Sequence, residues 1–314
     1  MRILFAGTGD IGVPTLRFLA ENHELVGILT QPDRPAGRHR HLKPPAIKEE
    51  AGRIARGIPL FQPESPRLPE VLPWIQALKP EVMVTMAYGR ILPREILELP
   101  PIACLNIHAS LLPRHRGASP IQSSIACGDE ESGVSVMFMA EGLDTGDVLL
   151  ERRLRLLRRE TAGSLSLRLA NLAALSLRDA LGLLQLGTAP RIPQDHALAT
   201  VCGKITREHC RLDWRLPARA LEQKIRSLQP RPAAFTTLQL SSGANVVLKV
   251  HSAILATRSS GVPGSLLRVD DRGLLVACGE GSLLLGNIQP EGKGIMHSSA
   301  FIRGHALEIG SHLG

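Results

Sequence analysis

The chain reads as an α/β protein: an open, mostly parallel, Rossmann-like sheet in the N-terminal part, followed by a smaller β-barrel of OB-like type. Three observations predict this. Apolar strand-like runs alternate with helical patterns through the first half, and a glycine-rich turn follows the first apolar run. After residue 188 the pattern changes to short β-like runs separated by Gly, Pro and Ser. Alternating strands and helices indicate parallel βαβ units covered on both faces, whereas closely spaced short strands indicate a small barrel or sandwich.

Taken in order, strand-like runs occupy 2–6, 24–30, 81–87, 103–107 and 134–139, with helical patterns at 13–22, 45–56, 67–78, 92–98 and 119–127. Leucine at helical spacing over 163–187 predicts one long packed helix, its Leu-rich face turned to the core. Residues 188–206 are rich in Pro, Ala and Thr and read as a connector. A further helical pattern covers 216–228, and β-like runs follow at 245–250, 265–269, 273–278 and 282–288. The expected domains are 1–189 and 208–314, joined by a linker over 190–207.

Composition narrows the function classes. The 314 residues leave room for two ordinary domains, and 44% hydrophobic with 21% charged residues is a core-forming balance. Aromatic residues make up only 3%, so the core must be aliphatic. A net charge of +8 favours a polyanionic partner, with a solubilising excess of arginine as the plainer alternative. No stretch approaches the ~18 uninterrupted apolar residues of a membrane span, and the N-terminus lacks a signal-peptide pattern, so no membrane partner is expected. Five cysteines without C-x-x-C spacing indicate a reduced, cytoplasmic chain with no metal site.

The turn "FAGTGDIGVP" fits G-x-G-x-x-G through Gly7, Gly9 and Gly12, with Pro14 suited to a first helical turn. A dinucleotide site also needs an acid closing the second strand. Asp33 lies beyond Thr30-Gln31-Pro32, in the following loop, so the match alone assigns no NAD. That loop, 31–48, is long and basic, with Arg34, Arg38, Arg40, Lys43 and Lys48. It is either a solvated surface or an arm that contacts phosphates.

The stretch 104–121, CLNIHASLLPRHRGASPI, carries the chemistry. Asn106 and His108 are two apart on a strand and therefore project to one side, at the C-terminal end where open α/β sheets build their sites. Asp144 follows in the Gly-rich turn GLDTGD, after the next strand. An amide, an imidazole and a carboxylate are thus expected to converge from adjacent strand ends.

With these residues in view, NIHASLLPRHRGASPI followed by GLDTGD resembles the folate-dependent formyltransferases. FAGTGD, TQPDRPAGR at 30–38, AYGRILP at 87–93 and KIT…RLDW at 204–214 narrow the resemblance to members that act on methionyl-tRNA. It runs through nearly the whole chain. The implied activity is formyl transfer from 10-formyltetrahydrofolate, as donor co-substrate without metal or NAD, to the amino group of methionine on initiator methionyl-tRNA. It also implies catalytic roles for Asn106, His108 and Asp144. Asn106 and a protonated His108 would donate hydrogen bonds to the formyl oxygen, and Asp144 would keep His108 protonated and orient a proton-relaying water. Folate contacts are implied for Tyr88, Arg90, Ile91 and Leu92, and for the turn Ser110, Leu111, Leu112 and Pro113. Arg38 matches the family's key basic residue in a tRNA-contacting loop, with Arg34, Arg40 and Lys43 as phosphate contacts. The protein is expected to act as a monomer. Alternatives within reach of the same motifs are formylation of an amino-sugar nucleotide and a tRNA-binding homologue impaired in catalysis.

Several family positions differ here. Gly9 stands in place of a proline, Ile11 of a phenylalanine, His115 of a tryptophan or tyrosine, and Val201 of a tyrosine. Residues 228–232, including Arg231, replace an aromatic-bearing segment, and 39–41 replace a Gly-Lys-Lys run.

Overall fold

Strands buried on both faces read as unbroken apolar runs, and the first of them, Ile3, Leu4, Phe5 and Ala6, is wholly removed from solvent. The computed structural model describes residues 1–36, 41–240, 243–256 and 261–314. They form two compact units, one of 1–120, 131–155 and 166–203, the other of 121–130, 156–165 and 204–314.

The first unit is built on seven strands: β1 (Arg2–Gly7), β2 (Glu24–Leu29), β3 (Leu60–Phe61), β4 (Val82–Met86), β5 (Ala103–His108), β6 (Glu131–Phe138) and β7 (Val148–Arg155). Their order across the sheet is β7-β6-β5-β4-β1-β2-β3. β1 to β5 pair in parallel, as expected of βαβ units. Helices α1 (Val13–Asn22), α2 (Ala46–Ile54), α3 (Val71–Leu78) and α4 (Arg94–Leu97) connect them. Leu16 and Leu19 of α1 and Val71 and Ile75 of α3 are buried one turn apart, the spacing of a core-facing stripe.

The two remaining strands differ from the expected arrangement. β6 runs antiparallel to β5, pairing His108 with Ser135 and Leu105 with Phe138, and β7 is antiparallel to β6. The end of β6 therefore lies beside the start of β5, where the Met139 amide donates to the Cys104 carbonyl. Asp144 reaches the site through a loop that folds back along β5, not from a neighbouring parallel strand end.

Helix α5 (Pro120–Ala126) precedes β6, and α6 (Ala162–Gln185) follows β7 as the long helix the leucines predict. Leu165, Leu169, Ala173, Leu177 and Ala180 are fully buried along one face of α6. Residues 188–206 do more than connect: Val201–Cys202 pairs in parallel with Arg116–Gly117, and Ile192 bridges to Val148.

The second unit contains α7 (Ala218–Ser227), α8 (Ser298–Arg303) and two four-stranded antiparallel sheets. One holds β8 (Ala234–Gln239) and β9 (Asn245–Val250); the other holds the strands Leu266–Asp270, Gly273–Ala277 and Ser282–Leu285. Both face one aliphatic core that includes Leu221, Leu238, Leu248, Leu274 and Leu283. Its buried Trp214 donates its indole N–H to Thr236 Oγ1 at 3.0 Å.

Candidate active site

Asn106, His108 and Asp144 come together. The Asn106 carboxamide is oriented by Thr85, whose hydroxyl donates to Oδ1 at 2.8 Å; its Nδ2 donates to Asp144 Oδ1 at 3.2 Å. Asp144 Oδ2 accepts from the Gly117 amide at 2.8 Å and lies 3.6 Å from His108 Nδ1. His108 Nε2 donates to the His115 carbonyl at 2.9 Å, which fixes a proton on that nitrogen because a carbonyl can only accept. Nδ1 then faces the carboxylate. The His108 and Asp144 side chains are only 6% and 10% exposed, so their interaction is weakly screened by water.

The backbone around this set is unusual. Asp144 and His115 both take positive φ, 52° and 55°, in the left-handed region that non-glycine residues rarely occupy. Gly117 has φ 116°, and a Cβ on it would lie 2.3 Å from the Cys202 carbonyl oxygen. Only glycine lets the 116–117 segment lie this close to 201–202 while its amide points at Asp144.

Residues 1–181 match the family profile described as formyl transferase, and 204–306 match that of the formyl transferase C-terminal domain. The methionyl-tRNA formyltransferase of Methylacidiphilum infernorum is 43% identical over 100% of this chain and 98% of its own. That of Acidithiobacillus ferrooxidans is 45% identical with the same coverage. The chain belongs to the formyl transferase family. Solved structures with the same fold include HypX from Aquifex aeolicus in complex with tetrahydrofolic acid, with TM-score 0.64 and 18% identity over 96% of this chain and 47% of that one. WlaRD, a sugar 3N-formyl transferase, aligns with TM-score 0.64 and 15% identity over 94% of this chain and 99% of its own.

In this formyl transferase the folate candidates divide into two groups. Ser110 and Leu112 are buried beside the site strand: Ser110 Oγ donates to the Arg114 carbonyl at 2.6 Å, and Ser135 Oγ donates to the Ser110 carbonyl at 2.8 Å. Ser135 also accepts from the Leu112 amide at 3.1 Å, so the 110–113 turn, with a cis Leu112–Pro113 bond, is pinned to β6; Leu111 and Pro113 are half-buried. Tyr88 and Leu92 instead pack into the cluster of Leu4, Leu29, Val71 and Ile75, whereas Arg90 and Ile91 are exposed. Burial pushes the Tyr88 phenol up to about 12.

Of the basic candidates, Arg34 and Lys43 are exposed and face each other across a small hairpin, Arg34–Ala36 with His41–Lys43. Arg34 pairs with Glu64 at 2.8 Å. Arg38 and Arg40 lie outside the described residues. Asp33, the acid a dinucleotide site would need, accepts from Gln62 at 2.8 Å and is paired with Lys48 at 2.9 Å, which keep its carboxyl below the ordinary range. Sequence reasoning did not find Thr85, Gly117 or Gln194, whose side chain donates to the Asp144 carbonyl at 2.9 Å. Thr85 is an unremarkable residue in an apolar strand, and Gln194 sits in a segment with the composition of a connector.

Proposed function

We propose that the chain transfers a formyl group from 10-formyltetrahydrofolate to the α-amino group of methionine on initiator methionyl-tRNA, acting as a cytoplasmic monomer in translation initiation. The observation that carries this reading is the full-length similarity, above 40% identity, to methionyl-tRNA formyltransferases. The donor supplies the formyl carbon; Ser110, Leu111, Leu112 and Pro113 are the residues proposed to line its site, with Arg90 and Ile91 at the margin.

Attack by the neutral amine forms the new N–C bond and places negative charge on the formyl oxygen. As the intermediate collapses, the bond to the donor nitrogen breaks, and the proton lost by the amine passes through water to that nitrogen, releasing tetrahydrofolate. The second N–H of Asn106 is available to the developing oxyanion, and a donor of this kind contributes ~3 kcal/mol in the transition state. His108 Nε2 is bonded to a carbonyl, so His108 reaches the oxyanion only if substrate displaces that bond; otherwise it acts by holding Asp144. Asp144, largely buried, orients the water that carries the proton away. Arg34, Arg38, Arg40 and Lys43 are proposed to grip tRNA phosphates.

The test offers labelled 10-formyltetrahydrofolate with charged initiator tRNA, uncharged tRNA or an amino-sugar nucleotide. Label is expected on charged tRNA alone. Label on the sugar, or none on charged tRNA, overturns the reading.

A further inference from the structure

The carboxamide of Gln194 is used completely. Its Nε2 donates to two carbonyls of the Asp144 loop, Asp144 O at 2.9 Å and Gly146 O at 2.7 Å. Its Oε1 accepts from Arg116 Nε at 3.1 Å and Nη2 at 2.6 Å. Both side chains are buried, at 8% and 7% exposure, and Arg116 also donates to His196 Nδ1 at 3.2 Å. The residues on either side of Arg116 are the ones whose backbone touches the reacting set: the His115 carbonyl accepts a hydrogen bond from His108 Nε2, and the Gly117 amide donates to Asp144. One amide thus ties the two backbone segments that orient His108 and Asp144.

The anchoring is reinforced on both sides. The Arg116 amide donates to the Thr200 carbonyl at 2.9 Å, and the His115 amide donates to Thr200 Oγ1 at 2.8 Å. Ile192 and Val148 exchange both backbone hydrogen bonds, at 2.8 and 3.0 Å. Asp144 holds a left-handed conformation, uncommon for a residue with a side chain although Asp is among those that tolerate it. Clamping its carbonyl keeps that conformation, and with it the direction of the carboxylate.

We infer that Gln194 is a positioning residue for the transfer reaction, setting the Asp144 carboxylate against His108 and Asn106 through the Asp144 loop and Arg116. This rests on the formyl-transfer reading. Misplacing a reacting group by an ångström can cost about 10²-fold in rate, so the effect belongs in kcat.

The test compares Gln194→Leu, which removes every bond, with Gln194→Glu, which keeps the Arg116 acceptor and removes both donors to the Asp144 loop. Both are expected to lower kcat about 10- to 100-fold, with KM for tRNA and folate within about twofold. In parallel, long-range ¹H–¹⁵N spectra follow the His108 ring, assigned with His108→Gln. Its signals are expected to move in both variants while those of His209, His251 and His305 stay in place. Unchanged kcat in folded Gln194→Glu, a loss confined to KM, or unmoved His108 signals would overturn the proposal. Loss of folding in both variants would do the same, leaving Gln194 a structural residue. If the wild type transfers no formyl group at all, the functional reading has failed, and the ring signals alone decide whether Gln194 sets this geometry.

Discussion

At the residue scale, one carboxylate organises the site. Asp144 accepts from Asn106 through one oxygen and from Gly117 through the other, which also faces His108. Asp144→Asn keeps the volume but removes the ionisable group and replaces one acceptor with a donor, set against either the Gly117 amide or the Asn106 N–H. It is expected to lower kcat about 10²- to 10³-fold with little change in the thermal midpoint, read by formyl-transfer kinetics beside a melt. Wild-type turnover would remove Asp144 from the chemistry. A second residue-scale prediction concerns Gly9, the middle glycine of the opening turn. Its φ of −77° suits proline, its N–H makes no hydrogen bond among the described residues, and a Cβ there meets Ala87 Cβ at an ordinary 3.7 Å. Gly9→Pro is expected to stabilise the protein by about 0.4–1 kcal/mol in urea unfolding, chiefly by restricting the unfolded chain. The backbone at Gly9 does not itself require glycine.

At the element scale, α1 and α2 are tied by charge. Glu50 of α2 is buried and accepts from Arg17 of α1 at 2.6 Å, and this hydrogen bond holds its carboxyl below the ordinary 4.5. A depressed carboxylate contributes stability that is present above its ordinary value and lost as pH falls through its folded value. The difference in thermal midpoint between wild type and Glu50→Gln is therefore expected to be largest near neutrality and to shrink as pH drops below about 4.5. A constant difference from pH 7 to 3 would contradict this. Legibility also varies by element. Four of the five parallel strands could be read, because burial on both faces writes them as continuous apolar runs; β3, two half-buried residues, could not. β7 could not: it is an edge strand in which Arg152, Arg153 and Arg155 interrupt the pattern, as charges commonly do at exposed edges. Asn106 and His108 were legible from their spacing on β5. The return path of the Asp144 loop was not, because strand direction leaves no local trace.

At the scale of the whole molecule, the net charge of +8 and the exposed pair Arg34 and Lys43 bear on the proposed tRNA partner. Phosphate contacts release counterions, so affinity for tRNA should fall linearly in log–log form with salt. Lys43→Ala is expected to weaken binding and reduce that slope by about 1, measured by filter binding or fluorescence at several salt concentrations. An unchanged slope would make the hairpin a solvated surface. None of the helices among the described residues is long and apolar enough to cross a membrane. The two-part organisation was legible from texture alone, since aliphatic βα repeats give way to short strands punctuated by Gly and Pro. What texture could not convey is that residues 188–206, written like a tether, pair with 116–117 beside the site.

That pairing has a consequence in time. His115 and Thr200, which meet through a hydrogen bond, are 85 residues apart. At roughly 5–20 residues per second of synthesis, Thr200 leaves the ribosome about 4 to 17 seconds after His115. The central sheet can gather while the chain is still growing, but the segment that holds His108 and Asp144 lacks its partners at 192–202 until those residues arrive. During synthesis the contact between His115 and Thr200 therefore becomes possible only after the residues of β1 to β7 have all emerged.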